Sequence, residues 1–572
     1  MLISFNAFCQ IIPENNSTIS YTYAHFQDEL IDDAVFYVVE IVDDINSFDD
    51  TLKSIKSKNH IPSFFVGNLS WDKKYYWRVK SFNKNNDLIK VSENHNFNIQ
   101  SISTIDFTEV KLKVNSSEVD QYSRGYISLD NTRSIFDRSG NKVWSMPMIK
   151  DVVNEKSQVR DIKLTKDNTI TFLTDKNVYE IDFNGNVLWN GPQPSLLGKD
   201  TIRFHHAFLK DDNGNYWALG QYETYKKVLS KINEKILPYV ADVIVSDTGV
   251  YKKIEMDVLI KFDKNGKALW FWDSNTYLTI EDINYKKNSD SVPEFSIHSN
   301  AFSINKQQTY AYLGMRDMSR IVKIDIKTNK VVNSYGAKYP SGEAKSAING
   351  FKCQHDANVT NHKSIFILNN NTREREPSAI MELRDDEKSK DNSVLWKFNL
   401  DFDSLTNGRS VKGGNVNELN NGNLLVCAGT LNRVFEVTKQ KKTVWDGFVY
   451  CKSSIDTSWH NMPQYRCNTF NKIVFKGLLV KIENLHEVNK KISATCLVIN
   501  SGNVADSYTI EIKDASGKVY YSMQSPIIEP GKYHEFVINV QSDSSDLLLK
   551  TNSVSNKYVL SRKKFFVKKI EE

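Results

Sequence analysis

The chain has 572 residues, which excludes a single small fold and asks for three or four domains of roughly 100–200 residues, or one large repeat domain with attachments. Hydrophobic residues make up 40% and charged residues 25%, enough to bury large cores and to exclude general disorder. The net charge of +5 is spread without long blocks of either sign, which argues against a nucleic-acid partner, and no apolar run approaches the ~18 residues of a membrane-spanning helix.

Low Gly and Pro beside 26 Tyr, 30 Phe and 10 Trp favour strands, so the expected class is all-β. The chain opens with MLISFNAFCQ, where the small residues Ala7 and Cys9 precede Gln10 as at a secretory cleavage site. Residues 1–19 are therefore read as a truncated signal peptide or N-terminal extension, with an ordinary first strand as the alternative. An exported location follows from the first reading, periplasmic or secreted, and six Cys are compatible with it. Residues 20–100 alternate apolar and polar side chains through VFYVVEIVD and KYYWRVKSFN, a pattern like a fibronectin type III β-sandwich with Trp71 and Trp77 in its core.

Residues 101–470 contain a repeat. Six segments end in an apolar strand closed by Trp144, Trp189, Trp270, Asn333, Trp396 and Trp445, at spacings of 45 to 81 residues. Most are preceded by a strand and a turn rich in Asp, Asn, Gly or Lys, as in YEIDFNGN and LIKFDKNGK, which reads as a β-hairpin. Two further strands per unit give a six-bladed β-propeller. The extra length falls in insertions at Gln221–Met256 and Asn275–Phe295, and YKKVLSKINEKILPYV in the first suggests a helix. Residues 471–572 read as a C-terminal β-sandwich.

The first strand of each propeller blade lines the central channel, so equivalent positions converge on the axis. His205 and His206, His298 and His355 fall there, and the sixth unit offers Asn415. Two remaining units show no ionisable residue at that position. Arg316 follows the second strand of the unit that begins with His298 and belongs beside it. Several imidazoles and a guanidinium with few carboxylates suit an anionic ester of sulfate or phosphate.

The order of these motifs resembles the bacterial arylsulfotransferases: a double His, then His-x-Asn followed by an Arg after a strand, then Gln-His-x-Ala on the next unit. That family comprises exported six-bladed propellers with an N-terminal β-sandwich that move a sulfuryl group between phenols without the nucleotide donor PAPS. The resemblance implies that His355, in Gln354-His355-Asp356-Ala357, is the nucleophile that carries a transient sulfohistidine. It implies that His298 and Arg316 hold the sulfuryl oxygens, with Asn300 beside them, and that His205-His206 is the double His. Register with Gln354-His355 favours His205 as the axial one. Thr430 matches the family's polar threonine. The departures are Ala207 where the family has an acidic residue, Asp317-Met318 where it has His-Gln, and Cys353 without a nearby Cys.

The chemistry suits these residue types. Sulfuryl transfer, like phosphoryl transfer, is governed by positioning and by charge on the oxygens. A neutral imidazole is a competent nucleophile near neutral pH, and ping-pong kinetics follow. The partners expected are an aryl sulfate donor and a phenol acceptor, with no cofactor and no metal, and a homodimer stays open. Alternatives are a propeller that binds a glycan or protein without catalysis, or a His-ligated metal enzyme. Cys451 and Cys467 are either bridged or free thiols. Trp459, His460, Tyr465 and Arg466 lie in a loop that can reach the channel mouth, with packing as their default role, and the repeat-ending Trp residues are read as packing between blades.

Overall fold

The computed structural model describes residues 4–8, 10–49, 53–57, 60–101, 104–192, 202–228, 243–279, 282, 297–336, 350–371, 376–385, 393–402, 408–488, 491–542 and 546–566. The chain is all-β. Six consecutive antiparallel meanders follow one another through its middle. The second sheet runs through Arg160–Leu164, Ile170–Leu173, Val178–Ile181 and Val187–Asn190, and the fourth through Ser299–Ile304, Tyr310–Met315, Arg320–Asp325 and Val331–Gly336. The fifth begins at His355–Val359 and the sixth at Asn415–Glu418. The first sheet takes its inner strand from the far end of the chain: Cys467–Phe470 pairs with Tyr126–Leu129. Each inner strand packs on the next, and Cys467–Phe470 touches both Arg160–Leu164 and Asn415–Glu418.

The hairpins form because one turn chemistry recurs. In Asp182-Phe183-Asn184-Gly185-Asn186, the Asp182 carboxylate accepts the N–H groups of Asn184 (2.9 Å) and Asn186 (3.0 Å), and Gly185 takes φ +84°. Asp137, Asp211 and Asp263 repeat the device. The repeat-ending tryptophans then join neighbouring sheets. Trp144 donates its indole N–H to the Phe183 carbonyl at 2.8 Å, Trp270 to Ile326 at 2.9 Å and Trp396 to Lys439 at 2.8 Å. Trp445 reaches from the sixth sheet to the Arg138 carbonyl of the first at 2.8 Å. Trp189 instead stacks on Tyr216 of the third sheet, with ring centroids 3.7 Å apart. The four bonded rings are thus held at both ends, by apolar packing and by a polar tip that finds a partner.

The insertion in the third sheet differs from expectation. Tyr225–Val228 is the end of one long strand, Tyr216–Val228, which pairs with Gly249–Phe262 from Tyr216↔Phe262 to Val228↔Val250. The alternation in QYETYKKV and VYKKIEMDV favours an extended two-stranded arm over a helix. Residues 229–242, and most of the second insertion (280–281 and 283–296), lie outside the described residues, as does Cys9.

On the N-terminal side, one sheet contains Ser17–Ile19, Phe36–Val42, Lys53–Lys56, Lys73–Phe82, Leu88–Val91 and His95–Ile99, and a second pairs Ala24–Gln27 with Ser63–Val66. Trp77 is fully buried in this core. Trp71 is not a core residue of that kind: its indole donates to the Lys142 carbonyl at 3.0 Å, so it joins this side to the first sheet. On the C-terminal side, Leu478–Val488, Lys491–Asn500 and Tyr533–Gln541 form one sheet. Tyr508–Asp514, Val519–Gln524, Asp546–Ser553 and Leu560–Phe566 form another, which Ser4–Phe8 joins by pairing with Leu560–Phe566.

His25 sits where the two sides meet, 1% exposed, stacked on Phe65 at 4.7 Å and bonded to Ser63 at 3.0 Å. Burial lowers its pKa to about 3, against a smaller opposing contribution from the Ser501 backbone. The unfolded chain binds a proton at His25 near pH 6.5 and the folded chain does not until about 3. Its contribution to stability is therefore intact above 6.5 and lost as the pH falls from 6.5 towards 3. The expected loss is up to ~5 kcal/mol across that window. Urea unfolding between pH 7 and 4 should show this slope, and His25→Phe should flatten it.

Candidate active site

The inner strands do not start as regular ladders. Pairing breaks between Arg160 and Lys163, between Phe204 and Phe208, and between His355 and Asn358. A residue with left-handed backbone sits inside each break: Asp161 (φ +59°), His206 (φ +58°) and Asp356 (φ +69°). In the fourth sheet His298 (φ +48°) stands just before the corresponding break. Such bulges re-aim a side chain and concentrate where the surrounding structure holds the backbone in place. Here they turn side chains from successive sheets towards one point.

That point holds His206, His298, His355 and Tyr465. The His206 and His298 ring centroids are 4.8 Å apart, and Tyr465 lies 6.1 Å from His206 and 5.2 Å from His355, edge to face with the latter. His355 is 3% exposed, and its Nδ1 is 2.8 Å from the Gly414 carbonyl. A carbonyl only accepts, so Nδ1 carries the hydrogen and Nε2 keeps its lone pair. Gly414 itself must be glycine: it has φ +94°, and a Cβ there would meet Leu368 Cδ2 at 2.2 Å. Burial, then Arg466, hold His355 well below the usual imidazole pKa, with Gly414 opposing and Arg316 and His298 adding to the shift. His355 is thus a neutral imidazole with one free nitrogen. His206 is likewise lowered, by burial first and then by His205, His298, His355 and Arg160.

His298 is lowered by burial, with Asp317 opposing. Arg316 is its neighbour, the Arg316 N–H donating to the His298 carbonyl at 3.1 Å, while one guanidinium nitrogen pairs with Asp317 at 2.6 Å. The structure therefore brings His206, His298, His355 and Arg316 together.

Other expected roles change. His205 is not the axial member of its pair. It lies behind His206, with Nδ1 2.6 Å from His206 Nδ1 and Nε2 3.3 Å from Asp257. The bulge at His206 breaks the alternation on which the register count relied. Asn415 clamps the closing strand: its Nδ2 donates to the Cys467 carbonyl (2.7 Å) and its Oδ1 accepts the Cys467 N–H (2.9 Å). Asn300 is fully buried, and one of the two N–H donors on its Nδ2 binds the Gln354 carbonyl at 3.0 Å, joining the fourth and fifth sheets. Thr430 accepts the Val411 N–H at 3.0 Å and lines an adjoining cavity of about 490 Å³ with Arg133, Arg160, Lys412 and Tyr465.

The carboxylates were undercounted. Arg160 and Asp161 occupy the axial position of the second sheet, and Arg466 enters with the closing strand. Arg466 is 3% exposed and donates to Asp161 at 3.0 Å and to the Asn300 carbonyl at 2.7 Å. Burial opposes the Asp161 charge, and Lys163 and Arg466 outweigh it, holding the carboxyl below its usual range. Asp257 accepts the Ser299 N–H at 2.8 Å and Asp356 the Val416 N–H at 3.0 Å. Each of these acids is thus tied to a cation or a backbone donor. Of the loop residues, Tyr465 and Arg466 reach the site, whereas Trp459 and His460 are exposed on an edge strand, where His460 bonds Asp456 at 3.1 Å. Cys451 and Cys467 are free thiols and are not bridged to each other; Cys451 pairs with His460 on the edge, and Cys467 sits against Cys427. Among the described residues, no three or more His, Cys, Asp or Glu are grouped to hold a metal ion.

Residues 126–246 match the family model described as arylsulfotransferase (ASST). The match covers His205 and His206 and stops before His298, Arg316 and His355. No curated protein matches the chain. Among solved structures, Kluyveromyces lactis Hsv2 is similar at 9% identity over 69% of this chain and 95% of that one, with a TM-score of 0.28. An α-L-rhamnosidase from Dictyoglumus thermophilum is similar at 8% identity over 100% of this chain and 48% of that one, with a TM-score of 0.16. At such scores neither likeness bears on fold or chemistry.

Proposed function

We propose that the protein is an aryl-sulfate sulfotransferase that works without PAPS, carrying a sulfuryl group from a phenolic sulfate ester to a phenol through a sulfohistidine at His355. The observation that carries this reading is the His355 ring, neutral and pinned through Nδ1 to Gly414, with Nε2 free beside His206, His298 and Arg316. His355 Nε2 attacks sulfur, the S–O bond to the donor phenol breaks, and Arg316 with His298 faces the three sulfuryl oxygens. Arg316 keeps donors beyond the one that Asp317 takes, so it remains able to bind an anion. The family match over 126–246 and the motif order along the chain support the same reaction.

The six meanders are read as a six-bladed propeller with the closing strand Cys467–Phe470 completing the first blade, and the flanking sheets as an N-terminal fibronectin-like and a C-terminal sandwich. We read the reaction as periplasmic or extracellular, a reading motivated by the family resemblance. The test is incubation with a chromogenic aryl sulfate. Donor phenol should be released continuously only when a phenol acceptor is present, and protein quenched with donor alone should carry a sulfuryl adduct on His355. Release at the same rate without acceptor would identify a hydrolase and overturn the proposal.

A further inference from the structure

We propose that Asp257, His205 and His206 form a proton relay that accepts the hydroxyl proton of the acceptor phenol. The proposal rests on sulfuryl transfer at His355 as argued above. Asp257, in the strand Gly249–Phe262, is 2% exposed. One carboxylate oxygen accepts the Ser299 N–H at 2.8 Å and the other lies 3.3 Å from His205 Nε2. The second link is shorter, 2.6 Å between His205 Nδ1 and His206 Nδ1.

These contacts fix the hydrogens. His205 Nε2 makes no aligned hydrogen bond, but the Asp257 carboxylate 3.3 Å away favours an N–H over a lone pair there, so the neutral ring has a bare Nδ1. Two imidazole nitrogens 2.6 Å apart need one hydrogen between them, so His206 carries it on Nδ1. His206 Nε2 is then bare, on the ring that neighbours His298 and Tyr465.

In the acceptor half-reaction the phenol proton passes to His206 Nε2, and the His206 Nδ1 hydrogen passes to His205 Nδ1. The phenol oxygen bonds to sulfur, the S–N bond to His355 breaks, and its electron pair returns to His355 Nε2. The protonated relay that this leaves, with the extra proton on His205, is the state that meets the donor: His206 Nε2 protonates the departing phenolate, the His205 Nδ1 hydrogen returns to His206 Nδ1, and the bare-Nε2 state belongs to the sulfurylated enzyme, so no proton is gained or lost over the cycle. The relay answers an electrostatic need. Burial first, then His205, His298, His355 and Arg160, disfavour a cation on His206, whereas a charge moved to His205 rests 3.3 Å from the Asp257 carboxylate.

Asp257→Asn tests the relay. The Asn oxygen still accepts the Ser299 N–H, but its amide NH₂ faces His205 Nε2, which must then be bare. The hydrogens shift along the pair, and His206 Nε2 becomes a donor instead of a base. In a ping-pong scheme kcat/KM for the acceptor reports the second half-reaction alone. It should be measured near neutral pH with a fixed aryl sulfate donor and two acceptors, nitrophenol, which is largely ionised, and unsubstituted phenol, which is not. The variant should lose at least about tenfold more with phenol than with nitrophenol, and its phenol rate should recover as rising pH ionises the phenol. Equal losses with both acceptors would overturn the relay.

If Asp257→Asn forms no adduct on His355, His205→Gln takes its place in the same comparison, and equal or total loss with both acceptors again overturns the relay. Wild-type protein that forms no adduct would instead defeat sulfuryl transfer itself, so the two failures are distinguishable.

Discussion

His355→Ala should abolish sulfuryl transfer, with turnover reduced by roughly 10⁴-fold or more and no adduct after quenching with donor. The size of the effect follows from the geometry. Among the described residues no second imidazole shares the features of His355, a ring held by a backbone carbonyl through Nδ1 and kept neutral by burial and by Arg466. His206 is engaged with His205 through its own Nδ1, and His298 is 40% exposed at its side chain and faces Asp317. Alanine removes the nucleophile and leaves the Gly414 carbonyl without its donor, a stability cost of about 1–3 kcal/mol. The fold should therefore survive, which unfolding in urea checks. Because His355 stays neutral well below pH 6.5, wild-type turnover should not fall between pH 8 and 6.5 through loss of the nucleophile. Turnover by His355→Ala at the wild-type rate would remove the sulfohistidine from the scheme.

Much of the architecture was legible because it rests on short-range chemistry. The Asp-x-Asn-Gly turns are side-chain to backbone bonds within five residues, and the Trp endings mark positions that every sheet must pack against its neighbour. The His residues were legible as a set because they recur at the start of inner strands, and Arg316 because it follows the strand that pairs with one of them. What was not legible depends on geometry that spacing does not encode. A left-handed residue inside a bulge exchanges the two faces of a strand, so His206 and His205 trade places relative to a simple count. Asp257 lies on a third strand and meets His205 only after the sheet is formed. Asn415 and Asn300 have the residue type of ligands, and spacing does not reveal that each also donates an amide hydrogen to a backbone carbonyl of the next sheet. The helix suggested for Tyr225–Val240 gave way to strand at Tyr225–Val228 because pairing with Val250–Lys253 offers those residues a complete ladder.

Arg466→Met should destabilise the protein by about 3–5 kcal/mol, the usual cost of removing one partner from a buried ion pair. Burial opposes the Arg466 charge, yet Asp161, Tyr465, Asp356 and Asp130 outweigh it and hold the guanidinium more firmly protonated than usual. From the closing strand's end this side chain bonds Asp161 of the second sheet and the Asn300 carbonyl of the fourth, so it ties three sheets together at the centre. Methionine keeps most of the length and none of the charge, leaving Asp161 with Lys163 at 2.7 Å and the Asn300 carbonyl without its donor. A second effect separates this from simple loss of packing. Arg466 is, after burial, the largest influence keeping His355 neutral, so its removal raises the His355 pKa. The acid limb of the turnover profile should then move to higher pH in Arg466→Met. Arg466→Lys keeps the charge but not the two-pronged reach, so it should lose stability while its acid limb stays near that of the wild type. Coincident denaturation curves and unshifted pH profiles for Arg466→Met would show that the central guanidinium neither holds the sheets nor sets the state of the nucleophile.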